Sequence, residues 1–583
     1  MAHNTLDRHA RHDAAARNRV ACIWEGEPHE SAAVDDSTER DPTAEPTEVR
    51  QVTYQELHRQ ANRVANALTE RGVGVGDTVG LYMPMVPEII AILYGTFKVG
   101  AIAVPIFSGF GVDATATRIE DAEPSVLFTA DGFYRRGREI ELKGDADAAI
   151  ERAGHVEHTI VYDRLGADVN WTDRDEPWGE AVGDQPASFE TRSLPADQES
   201  MLLYSSGTTG EPKGIVHTHA GGLVQPAKEL YFSFDHQPSD RFFWVSDIGW
   251  MMGPWTLIGT HAFGGTVFMY EGAPDYPTPD RYWEMIDRHE LSVFGVSPTA
   301  VRALRKRGEG WLEGHDLSSL RLLGSTGEPW DPESWQWFHE TVGNGEVPIM
   351  NISGGTEIFG CFLQPLPTHS LKPCTLGGPA LGMDVDIVDA RGESIAETGK
   401  RGYLVARSSA PSMTKSLWSG DERYLEEYWS RFENTWDHGD WAQRDDDGFW
   451  FLHGRSDDVL NVAGRKVGPA EVEGALIDHE AVSAAAAVGA DDETTGTAVV
   501  AYVTLEPGHG ESDELREQLR ERVGAELGKP FRPREVLFVD EFPKTQSGKI
   551  VRRLIADVYA GDQPGDLSSI ENPDALEEIA AAR

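Results

Sequence analysis

Cysteine is scarce in this chain: its 583 residues include three, Cys22, Cys361 and Cys374. Thiols so few and so far apart exclude a disulfide framework or a zinc knuckle, and we expect buried thiols in a reducing cytoplasm. Long apolar runs are also missing, since the longest, around residues 88–100, is shorter than the ~20 residues of a membrane span. The polar start of the chain, residues 1–13, does not have the pattern of a signal peptide. The sequence therefore predicts a soluble cytoplasmic protein.

Positive charge is the second shortage. Against 97 acidic residues the chain has 52 basic ones, which gives a formal net charge of −45 at pH 7. A field of that sign repels DNA, RNA and anionic membrane, so we expect no nucleic-acid or membrane partner. The acidic residues are spread along most of the chain, which favours a surface adapted to high salt. The alternative is an ordinary acidic protein.

Length and pattern predict the architecture. A chain of 583 residues is too long for one core and indicates two or more domains. Strand and helix patterns alternate, beginning with a β-α-β run over residues 78–107, and predict parallel sheets covered by helices. Past residue 380 the strands become shorter and more polar. We expect an α/β fold with a large N-terminal domain of parallel and mixed sheets, residues 1–456, and a small α+β C-terminal domain, residues 457–583.

A glycine-rich loop, YSSGTTGEPKG, runs over residues 204–214. Bare backbone N–H groups and a lysine ammonium can surround an anion. The spacing excludes a P-loop, because Pro212 stands where that motif has its second glycine and Gly214 follows Lys213. The next residues alternate apolar and polar and predict a strand, whereas a P-loop opens a helix. The loop alone fits either a phosphate grip between two strands or a surface hairpin.

Four further segments have to be explained together with this glycine-rich loop. They are GSTGEP from residue 324, NISGGTEI from 351, HGDW from 438 with GRSDDVLNVAGRKVGPAEVE from 454, and PKTQSGK from 543. Any one of them could be a turn. In this order and spacing, with the loop at 204, they resemble the acyl-adenylate-forming superfamily of acyl-CoA synthetases, firefly luciferase and peptide-synthetase adenylation domains. Segments such as YMPMVPE, RIEDAEP and YRRGREIELK are closer to AMP-forming acetyl-CoA synthetases, and the likeness covers nearly the whole chain.

The resemblance implies a two-step reaction. A carboxylate attacks the α-phosphorus of Mg·ATP to give acyl-adenylate and pyrophosphate, and the coenzyme A thiol then displaces AMP. Magnesium is expected to enter with ATP, since no cluster of histidines or carboxylates in the sequence predicts a dedicated cage. Coenzyme A is the co-substrate. The family's C-terminal domain rotates between the two steps, and Asp457 falls on its hinge position.

The resemblance also implies roles for individual residues. Lys549 and Asp457 match the catalytic lysine and the hinge. The expected ATP contacts are Ser205, Thr208, Thr209, Lys213, Gly327, Glu328, Pro329, Asn351, Ile352, Ser353, Gly354, Gly355, Thr356, Glu357, Asp440, Arg455 and Lys466. The expected coenzyme A contacts are Arg135, Arg138 and Gly464. The expected acyl-pocket residues are Trp250, Met251, Met252, Thr326 and Gly354. Glu357 is also expected near Mg²⁺.

Several of these residues have an ordinary structural interpretation as well. Glu328 could cap a turn, and Asp440 with Arg455 could be a surface ion pair of little energy. The basic pair in YRRGR could lie at a helix end. A lysine after Ser-Gly, such as Lys549, is commonly solvated in a turn.

The chain departs from the acetyl-CoA synthetase pattern at three places. Gly464-Arg465-Lys466 stands where GHR is usual, so a phosphate contact from Lys466 would lack the planar fork of arginine. Ala463 replaces a usual serine. His438 replaces the threonine or serine that usually precedes Gly-Asp.

The acyl pocket is expected to be open. In acetate-specific relatives a tryptophan walls it off, and Gly354 occupies that position here. An indole buries about 150–250 Å², and a void of that size does not persist empty in a packed protein. We therefore expect acids longer than acetate, although Met251 and Met252 could refill part of the space.

Three alternatives remain at this point. One is an acetate-specific synthetase, whose pocket the methionines would close. Another is an adenylating enzyme that loads a carrier protein, although no carrier-like segment with a phosphopantetheine serine is visible. The third is a non-catalytic ATP-binding regulator, which would keep the glycine loops but lack Lys549.

The net charge of −45 predicts a dependence on salt. At ~1 M ionic strength the Debye length is about 3 Å and the self-repulsion of the surface is screened. We expect the melting temperature and the activity to rise from dilute buffer to molar KCl, which thermal melting and rate assays over a KCl series measure. Full activity and an unchanged melting temperature in dilute buffer would contradict this expectation.

Overall fold

The computed structural model describes residues 1–28, 48–206, 212–456, 458–462, 465–492, 496–545, 549–564, 567 and 570–583. The strands are β1 (Val20–Gly26), β2 (Val49–Thr53), β3 (Thr78–Tyr82), β4 (Ile102–Ile106), β5 (Val126–Ala130), β6 (Gly132–Arg135), β7 (Arg138–Glu141), β8 (His158–Tyr162), β9 (Asp175–Pro177), β10 (Glu199–Ser206), β11 (Pro212–Thr218), β12 (Arg241–Trp244), β13 (Thr266–Glu271), β14 (Val293–Gly295), β15 (Leu322–Ser325), β16 (Ile349–Asn351), β17 (Ser353–Gly355), β18 (Gly360–Gln364), β19 (Gly378–Pro379), β20 (Val385–Val388), β21 (Gly402–Ala406), β22 (Trp436–Arg444), β23 (Trp450–Arg455), β24 (Leu460–Val462), β25 (Arg465–Val467), β26 (Val482–Asp492), β27 (Gly496–Leu505) and β28 (Glu535–Phe538).

The α-helices connect and cover these strands. They are α1 (Tyr54–Glu70), α2 (Glu88–Val99), α3 (Val112–Ala122), α4 (Lys143–Ala153), α5 (Gly221–Phe232), α6 (Met252–Ala262), α7 (Arg281–His289), α8 (Pro298–Arg307), α9 (Pro332–Trp337), α10 (Asp421–Trp429), α11 (Pro469–Ile477), α12 (Asp513–Glu526), α13 (Arg552–Ala560) and α14 (Ala575–Ala581). In the part of the chain that the structure describes, no helix is both long and apolar enough to cross a membrane.

Two seven-stranded sheets form the frame of the N-terminal part. One has the order β11-β10-β4-β3-β5-β8-β9 and the other the order β16-β15-β14-β12-β13-β1-β2. Neighbouring strands are parallel except for the antiparallel edge pairs β10–β11 and β1–β2. Strands such as β4 and β5 are buried along their whole length, as expected where helices cover both faces of a parallel sheet. The predicted α/β class is confirmed.

Helix α1 begins at a Thr-x-x-Glu pattern, residues 53–56, which is typical of a helix start. The backbone N–H of Glu56 donates to Thr53 Oγ1 over 3.2 Å, and the backbone N–H of Thr53 donates to Glu56 Oε2 over 2.9 Å. This reciprocal capping box satisfies two backbone donors that the helix itself leaves open, and loss of the N-cap side chain typically costs ~1 kcal/mol. Helix α2 packs beside α1 and ends at Gly100, whose φ of 84° suits glycine.

Smaller sheets complete the chain. Strands β17–β19 and β20–β23 form two antiparallel sheets next to the large ones, and β26–β28 form the sheet of the C-terminal part. A run of four alanines, residues 484–487, lies in β26. Ala485 and Ala487 pack with Val472 of α11, whereas Ala486 packs with Ile555 of α13, so the small side chains admit helices to both faces. The proposed boundary, residue 457, lies outside the described residues; β23 ends at Arg455 and β24 begins at Leu460.

The cysteines depart from expectation at one position. Cys22 and Cys361 are buried, and burial raises the pKa of both thiols. Cys374 is only partly buried, and its pKa is raised to about 12, first by burial and then by Asp331. The expectation that all three are buried was wrong for Cys374.

Candidate active site

The ends of two neighbouring parallel strands bring the segments from 324 and 351 together. Ser325 of β15 lies in register with Asn351 of β16, and the carboxyl ends of parallel strands share one edge of a sheet. Just beyond that edge, Thr326 Oγ1 donates to the carbonyl oxygen of Ile352 over 2.7 Å. Asn351 Nδ2 donates to the carbonyl oxygen of Thr375 over 3.1 Å. Residues 326–329 and 351–357 therefore form one continuous wall.

Glu328 makes a capping contact, as its ordinary structural interpretation predicts. Its Oε1 accepts from the backbone N–H of Thr299 at the start of α8 over 2.6 Å, and its Oε2 pairs with Arg302 over 2.9 Å. The neighbouring Gly327 has a φ of 108°, and a Cβ there would meet no atom within 4 Å. Gly327 and Pro329 are exposed. The backbone of Gly327 thus faces open space, next to the Glu328 carboxylate that Thr299 and Arg302 hold in position.

The glycine-rich loop joins two antiparallel strands. Ser205 of β10 pairs with Lys213 of β11, which confirms the predicted strand after the loop. Residues 207–211, with Thr208 and Thr209, lie outside the described residues. Ser205 Oγ is buried and makes no hydrogen bond within the described part of the chain. Lys213 Nζ lies 3.2 Å from Glu427 Oε2 and 5.3 Å from the ring centroid of Tyr428.

Glu357 stands across from Lys213 in a short helical turn, residues 356–358. Tyr428 donates its hydroxyl to Glu357 Oε1 over 3.0 Å. Desolvation opposes ionisation of Glu357, but His438 and Lys213, among other donors and charges, outweigh it and lower the pKa of this carboxyl. Glu357 is therefore a carboxylate beside the glycine-rich loop. Sequence reasoning assigned no role to Glu427 or Tyr428 of helix α10, although YWSRF, residues 428–432, also resembles the acetyl-CoA synthetases.

His438, Asp440 and Arg455 meet on the antiparallel pair β22–β23. Asp440 lies in register with Arg455, but Arg455 Nη1 and Asp440 Oδ1 are 3.8 Å apart, a long separation for an ion pair. Arg455 Nη1 donates to the carbonyl oxygen of His438 over 2.9 Å. His438 Nε2 lies 3.2 Å from the carbonyl oxygen of Gly354. The 438–455 segments are thereby joined to the 351–357 wall.

Lys549, in the C-terminal part, lies near Glu328, Asp440 and Arg455. Its backbone N–H donates to Thr545 Oγ1 over 3.2 Å, and its side chain is exposed at the cleft rather than sealed in the protein. Desolvation by the surrounding protein lowers the pKa of Lys549, while the carboxylates of Glu328 and Asp440 act in the opposite direction. The ammonium therefore lies within electrostatic reach of two separate segments of the N-terminal wall. The structure brings together Lys213, Glu357, Asp440, Arg455 and Lys549.

A buried carboxylate anchors the β17–β18 hairpin from behind. Glu229 of α5 accepts from the backbone N–H of Cys361 and from Trp255 Nε1, both over 2.6 Å. Burial raises the pKa of Glu229 to about 7, and the ammonium of Lys228 counteracts part of that rise. A Cβ at Gly360 would lie 2.6 Å from Glu229 Oε1. Glycine is therefore required where the hairpin approaches this carboxylate.

Gly354 packs closely against the strand beside it. A Cβ at Gly354 would lie 1.8 Å from the carbonyl oxygen of Gly360 and 2.6 Å from the Cα of Cys361. A side chain at 354 would therefore point into the neighbouring strand β18, and the open acyl pocket stays a prediction. Of the other expected pocket residues, Met252 is buried, whereas Trp250 and Met251 are half-buried.

The expected coenzyme A residues form a surface hairpin. Arg135 and Arg138 face each other across β6–β7, so the alternative of a basic pair at a helix end was wrong. Arg135 Nη1 donates to the carbonyl oxygen of Gly272 over 2.9 Å. Gly464 and the side chain of Lys466 lie outside the described residues, as does Asp457.

The Glu357 carboxylate suits magnesium that arrives with a nucleotide. Within the described ranges, no group of three or more histidine, cysteine, aspartate or glutamate side chains is placed to hold a metal. Mg²⁺ commonly takes one or two carboxylates, several waters and phosphate oxygens. Glu357, next to the glycine-rich loop, fits that donor set.

The two parts of the chain are also tied together away from the site. Lys306 Nζ of α8 lies 2.7 Å from Glu506 Oε1 and donates to the carbonyl oxygen of Ser483 over 2.5 Å. Arg401, before β21, pairs with Glu471 of α11. Half-exposed ion pairs of this kind contribute little each to holding the two parts together, roughly 0–1 kcal/mol.

Lys306→Ala is expected to widen the distribution of distances between the two parts, because it removes both an ion pair and a backbone contact. Pulsed electron paramagnetic resonance between spin labels at Asp316→Cys and Asp513→Cys, in a Cys374→Ala background, measures that distribution. Lys415→Ala is the matched control, since this lysine pairs only loosely with a glutamate, over 3.7 Å, within the N-terminal part. Equal distance distributions in both variants and in the protein that keeps both lysines would show that Lys306 does not hold the two parts together.

Comparison with known proteins gives the family. Residues 24–418 match the family model described as AMP-binding enzyme, and residues 471–549 match its C-terminal domain. The chain is 41% identical over 591 residues to an acetyl-coenzyme A synthetase of Pyrobaculum aerophilum, covering 100% of this chain and 86% of the relative. It is also 41% identical over 584 residues to that of Streptomyces coelicolor, covering 99% and 86%. The structure of an acetoacetyl-CoA synthetase from Streptomyces lividans superimposes with a TM-score of 0.88 at 29% identity, covering 100% of this chain and 85% of that one. The chain therefore belongs to the AMP-binding enzymes, in the acetyl-CoA synthetase-like branch of the AMP-forming acyl-CoA synthetases.

Proposed function

We propose that this enzyme joins a short- to medium-chain carboxylic acid to coenzyme A through an acyl-adenylate, releasing AMP and pyrophosphate. The observation that carries the proposal is the meeting of Lys213, Glu357, Asp440, Arg455 and Lys549 at one cleft. These residues come from four segments far apart in sequence. Cations and a carboxylate of this arrangement suit a reaction whose catalysis is mainly positioning and charge stabilisation.

The first step displaces pyrophosphate. A carboxylate oxygen attacks the α-phosphorus, the bond from that phosphorus to the bridging oxygen breaks, and pyrophosphate leaves with the electron pair. Lys213 lies beside the loop that would hold the β- and γ-phosphates, so its ammonium stabilises the leaving group. We assign Lys549 to the negative charge that moves from the carboxylate to the α-phosphate. Mg²⁺ bound with ATP would neutralise phosphate oxygens, and Glu357 would hold it.

Asp440 and Arg455 are assigned to the nucleoside end. A carboxylate only accepts hydrogen bonds, so Asp440 suits two ribose hydroxyls. The 3.8 Å separation from Arg455 leaves the Asp440 carboxylate room to accept them. Gly327, Pro329 and residues 351–356 form the wall against which the adenine would lie.

The second step forms the thioester. The coenzyme A sulfur attacks the acyl carbon, AMP leaves, and the thiol proton passes to solvent. We assign Asp457 to the hinge of the domain rotation between the steps, and Arg135, Arg138, Gly464 and Lys466 to coenzyme A or its phosphates. The weak ties between the two parts, such as Lys306 with Glu506, are compatible with such a rotation.

We propose acids longer than acetate as the preferred substrates: propionate, butyrate, hydroxybutyrate or somewhat longer. The support is the stretch Ser353-Gly354-Gly355, which carries no bulky side chain. Because a side chain at 354 would collide with the backbone of Gly360, an indole cannot close the pocket from this position without moving β18. Acetate is the second candidate, and the names of the relatives at about 40% identity favour it.

A panel of acids decides between the two. We expect kcat/KM for AMP and acyl-CoA formation to rise from acetate to butyrate, by about fourfold for each buried methylene, since each contributes ~0.8 kcal/mol. The rates are measured with free coenzyme A in molar KCl, with acid omitted as the control. A higher kcat/KM for acetate than for butyrate would contradict the open pocket. Acyl-adenylate formation without any thioester would instead favour a carrier-loading enzyme.

Lys549→Ala is expected to slow adenylate formation by about 10²–10³-fold, the loss typical for one group that stabilises transition-state charge. Thioester formation from supplied acyl-adenylate should stay within about twofold of the unmodified rate, since that step needs no charge transfer at the α-phosphate. Single-turnover assays of each half-reaction measure the two effects. Lys529→Ala, another exposed lysine of the C-terminal part, is the control. Equal loss in both half-reactions would rule out this role for Lys549.

A further inference from the structure

Lys213 and Glu357, which we assign to the triphosphate and its metal, both contact the side chain of Tyr428, a residue to which we assigned no role from sequence. Lys213 comes from β11 and Glu357 from the turn after β17, yet both contact Tyr428 of α10. The Tyr428 hydroxyl donates to Glu357 Oε1 over 3.0 Å. The Lys213 ammonium lies 5.3 Å from the centroid of the Tyr428 ring, within the range of a cation–π contact.

The Tyr428 ring is held in a defined orientation. It is 5% exposed and stacks on the fully buried Trp436, with centroids 4.3 Å apart and planes 2° apart. Trp436 opens β22, the strand that also carries Asp440. The stacking therefore fixes the position of the Tyr428 hydroxyl. Through Trp436 and β22, the tyrosine is also connected to the strand that carries Asp440.

The residue before it in sequence completes the arrangement around the lysine. Glu427 Oε2 lies 3.2 Å from Lys213 Nζ, and Arg423 lies 4.0 Å from the other oxygen of Glu427. The ammonium is thus directed by a carboxylate on one side and an aromatic face on the other. Consecutive residues of one helix therefore set both the cation and the carboxylate of the phosphate site.

We propose that Tyr428 is a positioning residue for Mg·ATP: its hydroxyl orients Glu357 toward the metal, and its ring orients Lys213 toward the phosphates. This inference rests on the proposed function, because it presumes that the site takes ATP. It assigns α10 a role in holding the triphosphate.

The two contacts can be separated by substitution. Tyr428→Phe removes the hydroxyl and keeps the ring, so Glu357 loses its donor while Lys213 keeps its aromatic face. Tyr428→Leu removes both. Tyr424→Phe is the matched control, since Tyr424 lies one turn earlier on the same helix with its ring 6.1 Å from Trp436.

Binding of α,β-methylene-ATP, measured by calorimetry with Mg²⁺ and with EDTA, tests the proposal without turnover. The unmodified enzyme is expected to bind more tightly with Mg²⁺. In Tyr428→Phe this gain should fall by about tenfold or more, the value of a hydrogen bond to a charged group, while the affinity in EDTA stays the same. Tyr428→Leu should lose affinity under both conditions, and Tyr424→Phe under neither. Melting temperatures confirm that each variant is folded.

The half-reactions give a second measurement. Tyr428→Phe should raise the KM for Mg·ATP in adenylate formation and leave thioester formation from supplied acyl-adenylate unchanged, because that step uses neither ATP nor Mg²⁺. An unchanged Mg²⁺ gain in folded Tyr428→Phe, or an equal loss with and without Mg²⁺, would overturn the positioning role alone. Failure of the unmodified protein to bind the analogue would overturn the proposed function, and this inference with it.

Discussion

The site has to hold a polyanion within a protein of net charge −45, and that electrostatic constraint organises the rest. The cations of the site are held by nearby acceptors: Lys213 pairs with the Glu427 carboxylate, and Arg455 donates to the carbonyl oxygen of His438. Lys549 likewise lies within the field of Glu328 and Asp440. A cation held in this way reaches its place without a costly search of rotamers when the substrate binds. Because the chain as a whole carries a large negative charge, local positive charge of this kind favours the binding of ATP.

The fold places these groups by bringing strand ends together. The neighbouring parallel strands β15 and β16 end at the same edge, which supplies the wall formed by residues 326–329 and 351–357. The β10–β11 hairpin and the β22–β23 pair carry the residues that we assign to the phosphates and the ribose. The C-terminal part adds Lys549 across an interface held by half-exposed ion pairs such as Lys306 with Glu506. An interface of this kind is compatible with the domain rotation that we propose between the two steps.

Much of the frame could be predicted from local pattern. The capping box at Thr53, the buried β-α-β run and the strand after the glycine-rich loop all follow from rules that act over a few residues. The motif segments could be grouped because their order and spacing resemble a known superfamily. The family models and the relatives confirm that resemblance at the level of the family.

Other features depend on tertiary contacts that no local pattern contains. Tyr428 is an unremarkable helix residue until α10 packs against the turn that holds Glu357. The direction of a side chain at Gly354 depends on how β17 pairs with β18, so the inferred void could not be tested from sequence. Arg135 and Arg138 lie on a hairpin rather than a helix end, because their short strands pair with each other.

The central claim is that the assembled cleft activates a carboxylic acid at the α-phosphorus of ATP. The most direct measurement is exchange of labelled pyrophosphate into ATP without coenzyme A, which reports the reversible first step by itself. The account predicts exchange that requires both a carboxylic acid and Mg²⁺, with AMP and no ADP among the nucleotide products. Formation of ADP and inorganic phosphate, or exchange that proceeds without any acid, would contradict it.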